Sequence, residues 1–268
     1  MGRMSDPSLA VAVRAARNAA AVISDAARDL IRLPTSSKGH AALGSSAGAE
    51  ATNAIATTLA AAFPDHAIFA EDGGAATAGN PDSTWRWFVH ALSGGANFLH
   101  SYPYYAISIA FAHGAELTHA VVLDPVRDEL FTAIKGRGAL LNGVALRVSG
   151  CTTLENALVG TGFGVSESEA LPTDLELFTA VTARCAGIRR GGACALDLAY
   201  VAAGRLDGFW LLSRKTRDVA AGALLVREAG GRVGNFAGGS DWLRGHEVIA
   251  AAPGVFNALR EAIGSVLH

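Results

Sequence analysis

Apolar residues recur at helical spacing from Pro7 to Leu30. Val11, Val13, Ala16, Ala20, Val22, Ile23, Ala26, Ala27 and Leu30 predict one amphipathic helix. Asp6 before Pro7 supplies an N-cap with proline in the first turn. The next stretch, LPTSSKGHAALGSSAG, is polar and glycine-bearing and reads as a loop. A second helix is expected from Glu50 to Phe63, ending at FPDH. AIFAE (Ala67 to Glu71) reads as a short buried strand that runs into a flexible loop, DGGAATAGNPDS.

Strand patterns then dominate: WRWFV, YAISIAFA, LTHAVVLDP, ELFTAIKG and GVALRVS. DPVRDE is a hairpin turn in which Pro125 fixes φ. After Gly150 the pattern alternates. Strands ALVGTG, GIRR, DGFWLL and HEVIAA are separated by the helical segments PTDLELFTAVTARCA, ALDLAYVAAG and DVAAGALLVREAGG, and PGVFNALREAIGSVL closes the chain. Alternating strands and helices predict an α/β layer. The expected organisation is one compact unit of two halves. Residues 1–150 form an α+β half with an antiparallel meander, and residues 151–268 form an α/β half.

Composition narrows the function classes. Half of the 268 residues are hydrophobic and 17% are charged, which is the make-up of a packed globular protein. The net charge of −2 comes without a basic block, so no nucleic-acid partner is expected. RKTR (Arg214 to Arg217) is short and reads as a solvated turn. Cys151, Cys185 and Cys194 have no CxxC spacing, which argues against a disulfide framework or a zinc site. No apolar run reaches about 18 residues, and Arg14, Arg17 and Asp25 interrupt any signal-peptide core. A cytoplasmic protein with no membrane partner is expected.

Three segments carry candidate chemistry. In RDVAAGALLVREAGGRV, Asp218 is placed to cap a helix and to point a carboxylate into a site. Small residues follow it, and Gly230–Gly231 ends the helix. In FAEDGG, Glu71 and Asp72 lie at a strand end, where acids hold metals, act as bases, or are simply solvated. In GIRRGGACALDLAYVAAG, Gly191–Gly192 opens a helix beside Arg189 and Arg190; this suits either an anion or a tight packing turn.

Taken in order along the chain, these segments resemble the inositol monophosphatase family of magnesium-dependent, lithium-sensitive sugar phosphatases. FPDHAIFAED matches the segment leading into that family's Glu-Glu pair. WFVHALSGGANFLHSYPYYAISIAF matches W-x-x-D-P-L-D-G-T-x-N-F-x-H-x-x-P-x-x-x-V-S-I-A. LDPVRDELFTAIKGRGALLNG, ALDLAYVAAGRLDGFW and RDVAAGALLVREAGG match its later blocks. The resemblance implies a layered αβαβα sandwich, commonly a homodimer, with carboxylates that gather two or three Mg²⁺ ions. Those ions bind the phosphate and activate water.

The chain departs from that pattern at the acids. His90 stands at the first loop Asp, Ala91 at the proline, Ser93 at the second Asp and Gly95 at the threonine. The upstream acid falls near Ser46, the tryptophan before the last acid is Arg217, and the sugar-contacting acid is Leu211. Glu71 and Asp218 survive. Mg²⁺ wants oxygen ligands in near-octahedral geometry, so the site is expected to be degenerate.

By the resemblance, Glu71, His90, Ser93 and Asp218 are the candidate catalytic residues. Leu92, Gly94, Gly95, Gly192, Ala193, Leu211 and Arg217 are the candidate ligand contacts. Glu71 and Asp218, with His90 for a softer divalent ion, are the candidate metal ligands. The favoured expectation is a protein that binds a small phosphorylated or anionic polyol with ordinary turnover lost or replaced. A sugar or inositol phosphatase with a reduced metal requirement is one alternative. A non-catalytic interaction or regulatory protein is the other.

Overall fold

The computed structural model describes residues 6–32, 38–70, 77–162, 171–212, 215–243, 245 and 247–267, with the side chains of residues 38 and 40 left out. Helix α1 (Pro7–Leu30) spans the predicted range. Asp6 caps it by accepting the backbone N–H groups of Ser8 and Leu9 at 3.0 and 3.2 Å. Helix α2 (Lys38–Ala62) begins well before Glu50, so the second part of the expected loop is helical. Packing explains the difference. α1 lies along α2, and Ala47, Ala51, Ile55 and Leu59 form a buried stripe at a spacing of four. Gly44 leaves room for Leu99, which an added Cβ would approach to 2.2 Å. Tertiary contact here overrides the weak helix propensity of glycine and serine.

Eight strands form the first sheet: β1 (Ala67–Phe69), β2 (Ala78–Gly79), β3 (Trp85–Ser93), β4 (Ala106–His113), β5 (Glu116–Asp124), β6 (Glu129–Ile134), β7 (Gly138–Leu141) and β8 (Val144–Ala145). Their order is β2-β1-β3-β4-β5-β6-β7-β8, and every pairing is antiparallel except β1 with β3. β3 runs on through Ser93, so HALS belongs to the strand and not to a loop. A five-residue helix, α3 (Gly95–Leu99), follows it.

The rest of the chain runs β9 (Leu158–Gly162), α4 (Leu171–Thr182), β10 (Gly187–Arg189), α5 (Cys194–Ala202), β11 (Gly208–Leu212), α6 (Thr216–Glu228), β12 (Arg232–Gly234), β13 (Glu247–Ala251) and α7 (Pro253–Gly264). The second sheet has the order β10-β9-β11-β13-β12. β9 pairs parallel with β10 and β11, and β13 is antiparallel to its two neighbours.

The layers follow from which faces are apolar. α1 and α2 cover one face of the first sheet around Ile23, Ile55, Trp87 and Val121. α5 and α6 fill the space between the sheets around Leu196, Leu198, Phe209 and Leu224. α4 and α7 close the far face of the second sheet around Leu177, Trp210 and Phe256. This is the αβαβα sandwich. The middle helices touch both sheets, and accordingly every residue of α6 from Val219 to Val226 is buried.

Gly222 sets the approach of α6 to α5, since a Cβ there would lie 2.4 Å from the Leu198 Cβ. Gly222→Ala is expected to destabilise the protein by about 1–3 kcal/mol through overpacking. That exceeds the ~1 kcal/mol alanine contributes to an isolated helix. Thermal unfolding should show a Tm several degrees lower; an unchanged Tm would mean the helix pair is looser than described.

Candidate functional site

Strand alternation decides where His90 points. Trp87, Val89 and Ala91 of β3 are buried against α1 and α2. Phe88 and His90 therefore face the opposite layer, where α6 crosses β3 and β4. The pairing of β3 with β4 is irregular between His90 and Ser93, which opposes Ser108 at one end and Ala106 at the other. Such a bulge re-aims the strand end, and Ser93 is buried there with its Oγ accepting the Ala195 N–H at 3.5 Å.

Asp218 lies in the first turn of α6. Its Oδ2 accepts the Lys215 N–H at 3.1 Å, which ties the carboxylate back to the residue preceding the helix. Its Oδ1 lies 3.0 Å from His90 Nδ1 and 3.8 Å from Arg217 Nε. The contact with His90 is close, with Nδ1 off the line of a straight hydrogen bond. Burial works to raise the Asp218 pKa, but His90, the Lys215 N–H and Arg217 together hold it below the ordinary aspartate value. The helix N-terminus favours the same negative charge.

The loop before α5 closes the site from the other side. Gly94 precedes α3 with φ 97°, and a Cβ there would clash with the Tyr104 carbonyl and crowd Ala193. Asn97 donates to the carbonyl oxygens of Tyr104 at 2.7 Å and Gly191 at 2.8 Å, linking α3 to that loop. Gly192 has φ 83° and sits against Asn97. α5 starts at Cys194, so the two glycines precede the helix and do not open it. Tyr104 donates its hydroxyl to Asp197 Oδ1 at 2.5 Å, and Asp197 is fully buried with no partner for Oδ2. Burial, with the carboxylates of Asp197 and Asp218 nearby, pushes the Cys194 thiol far up and keeps it protonated. Beside this loop, Tyr102, Tyr104, Arg189, Arg190, Tyr200 and Arg205 line a cleft of about 330 Å³. Arg205 is held there by two 2.6 Å bonds to Glu129.

The predicted residues divide accordingly. His90 and Asp218 meet, Arg217 is beside them, and Ser93 reaches the start of α5. Gly94, Gly192 and Ala193 are drawn together by Asn97 and Tyr104, while Gly95 borders open space and Leu92 is half-buried. Leu211 is buried in the core against Gly162. Ser46 lies on α2 and donates to Glu50 at 2.6 Å. Glu71 and Asp72 lie outside the described residues. Among the described residues no group of three or more His, Cys, Asp or Glu is disposed to hold a metal. No helix among them is long and apolar enough to cross a membrane. Cys194 and the Tyr104–Asp197 pair were not anticipated; the only signal was the unread tyrosine run YPYY and an aspartate in an otherwise apolar helix.

The sequence profile of the inositol monophosphatase family matches residues 4–265. Nus factor SuhB of Pseudomonas aeruginosa is 43% identical over 259 residues, with 96% of each chain covered. Nus factor SuhB of Escherichia coli is 38% identical over 253 residues, with 94% of each covered. The crystal structure of extragenic suppressor protein suhB from Bartonella henselae superposes with a TM-score of 0.86 at 35% identity, covering 97% of this chain and 100% of that one. Inositol monophosphatase from Anabaena superposes with a TM-score of 0.86 at 30% identity, covering 96% and 95%.

Two expectations give way to these likenesses. The favoured one, a binder of a small phosphorylated polyol, is replaced by the regulatory alternative, because relatives that match from end to end are named as Nus factors. The exclusion of nucleic acid from the partners also falls. A missing basic block argues only against binding dominated by direct phosphate contacts.

The buried Asp197 carboxyl makes a testable pH signature. Burial raises its pKa from 3.8 to about 7, against the Tyr104 hydroxyl and Arg190, which lower it. The folded state therefore holds this proton more tightly than the unfolded chain. Stability is highest below the unfolded value and declines as pH rises toward about 7, by on the order of 1.4 kcal/mol per pH unit at most. Asp197→Asn is expected to flatten that decline in urea unfolding at pH 5 and pH 8. An equal pH dependence in both proteins would show that Asp197 is ionised throughout.

Proposed function

The chain belongs to the inositol monophosphatase family, and on that footing we propose that it acts as a non-catalytic regulatory protein of the Nus-factor kind, an accessory of the transcription machinery. The observation that carries the reading is the end-to-end likeness to proteins named Nus factor SuhB. The site chemistry supports it. In the family the fold implies Mg²⁺, a hard cation that needs several oxygen ligands in near-octahedral geometry. Here the donor set does not fit that ion among the described residues. Both Asp218 oxygens already face donors, Ser93 accepts a backbone N–H, and Ser46 is engaged with Glu50. A degenerate metal site is the finer form of the reading.

In this reading the family frame is kept for its shape. The 1–150 and 151–268 halves act as one compact unit, cytoplasmic, with a homodimer as the working assembly implied by the family resemblance. A partner then recognises a surface of the sandwich and not a bound substrate.

The reading is checked by adding the purified chain to a reconstituted transcription reaction with the other Nus factors and measuring read-through at a terminator. The expected result is a change in read-through together with co-elution of the chain with the elongation complex. No effect and no co-elution would contradict the proposal. A second measurement follows phosphate release from inositol monophosphate with millimolar Mg²⁺. Turnover is expected to stay far below the usual enzyme range of about 1 per second or more; turnover within that range would contradict the non-catalytic part.

A further inference from the structure

The donor set that does not suit Mg²⁺ has an internal logic of charge. Five positions of the chain, 46, 71, 90, 93 and 218, match acids in the family pattern; Glu71, outside the described residues, and Asp218 keep their carboxylates. Among the described residues Asp218 is the one such carboxylate left, and a single carboxylate is compensated by one positive or N–H partner. We propose that the His90 ring takes the structural place of the bound cation, fastening the end of β3 to the first turn of α6 without metal. The proposal rests on the family reading and is independent of the regulatory role.

Three observations carry it. First, the pair is aimed by the fold. Strand alternation turns His90 toward α6, and the Lys215 N–H pins Asp218 from behind, so Nδ1 and Oδ1 meet at 3.0 Å across two elements 128 positions apart, with side chains 25% and 19% exposed. Second, Arg217 Nε lies 3.8 Å from the same oxygen, so a permanent positive charge already stands where a hard cation would bind Asp218. Third, the hydroxyls that stand in for the lost acids have protein partners of their own: Ser93 with the Ala195 N–H, and Ser46 with Glu50. A half-buried carboxylate left without its cation would be strongly destabilising.

The test uses the whole chain in thermal unfolding, first in EDTA and then with millimolar Mg²⁺. The native protein is expected to show the same Tm in both, within about 1 °C, a small shift for a domain of this size. His90→Asp puts a second carboxylate against Asp218. It is expected to lower the Tm by several degrees in EDTA, and Mg²⁺ is expected to restore part of that loss. His90→Gln keeps a side-chain N–H donor and should lose less than His90→Asp. A native Tm that rises by several degrees with Mg²⁺ would overturn the proposal, since a working cation site would then be present. So would a His90→Asp variant as stable as the native chain in EDTA, or one that Mg²⁺ does not rescue. If that variant fails to fold at all, the native measurement still decides. None of these readouts contains a transcription component, so this proposal and the regulatory reading fail separately.

Discussion

Two helices buried between two sheets are the constraint on which the rest of the structure depends. α5 and α6 have no solvent face to relieve crowding, so their contact must be made from small residues. Ala220, Ala221 and Gly222 open α6 in that way, and Gly222 lets it lie directly on Leu198. The same packing sets the site. Because α6 is fixed between the sheets, its first turn and Asp218 are carried to the end of β3. Because β3 is covered by α1 and α2 on its other face, His90 can only point inward to meet it.

The site is thus a product of layer geometry. The glycines and Asn97 still hold the loop before α5 against α3. The acids that would turn this frame into a metal centre are replaced by groups that satisfy one another: imidazole with carboxylate, hydroxyl with backbone N–H, hydroxyl with Glu50. Retaining the frame is understandable on stability grounds alone, since its residues also join the three apolar layers.

How far the sequence could be read depended on range. α1 was legible because its cap, its proline and its apolar stripe are all local. The first part of α2 was not, because its glycines and serines are helical only through contact with α1 and α3. β3 was cut short because HALSGG resembles a loop when taken alone, and its continuation is set by pairing with β4. The meeting of His90 and Asp218 came from the co-linear family motifs; no local pattern predicts it. The Tyr104–Asp197 bond joins residues 93 positions apart and was invisible for the same reason. Composition misled about partners, since a missing basic block argues only against direct, phosphate-dominated binding.

The contact that joins the end of β3 to α6 is made by His90 and Asp218 themselves, and on the proposal above it needs no divalent ion. Anomalous diffraction from crystals soaked in Mn²⁺, a divalent ion that scatters strongly and shares the oxygen preference of Mg²⁺, tests it most directly. The account predicts no anomalous peak at Asp218 and an unbroken contact between His90 Nδ1 and Asp218 Oδ1. A peak within coordination distance of an Asp218 oxygen, roughly 2.0–2.6 Å for hard cations, with His90 turned away, would contradict it.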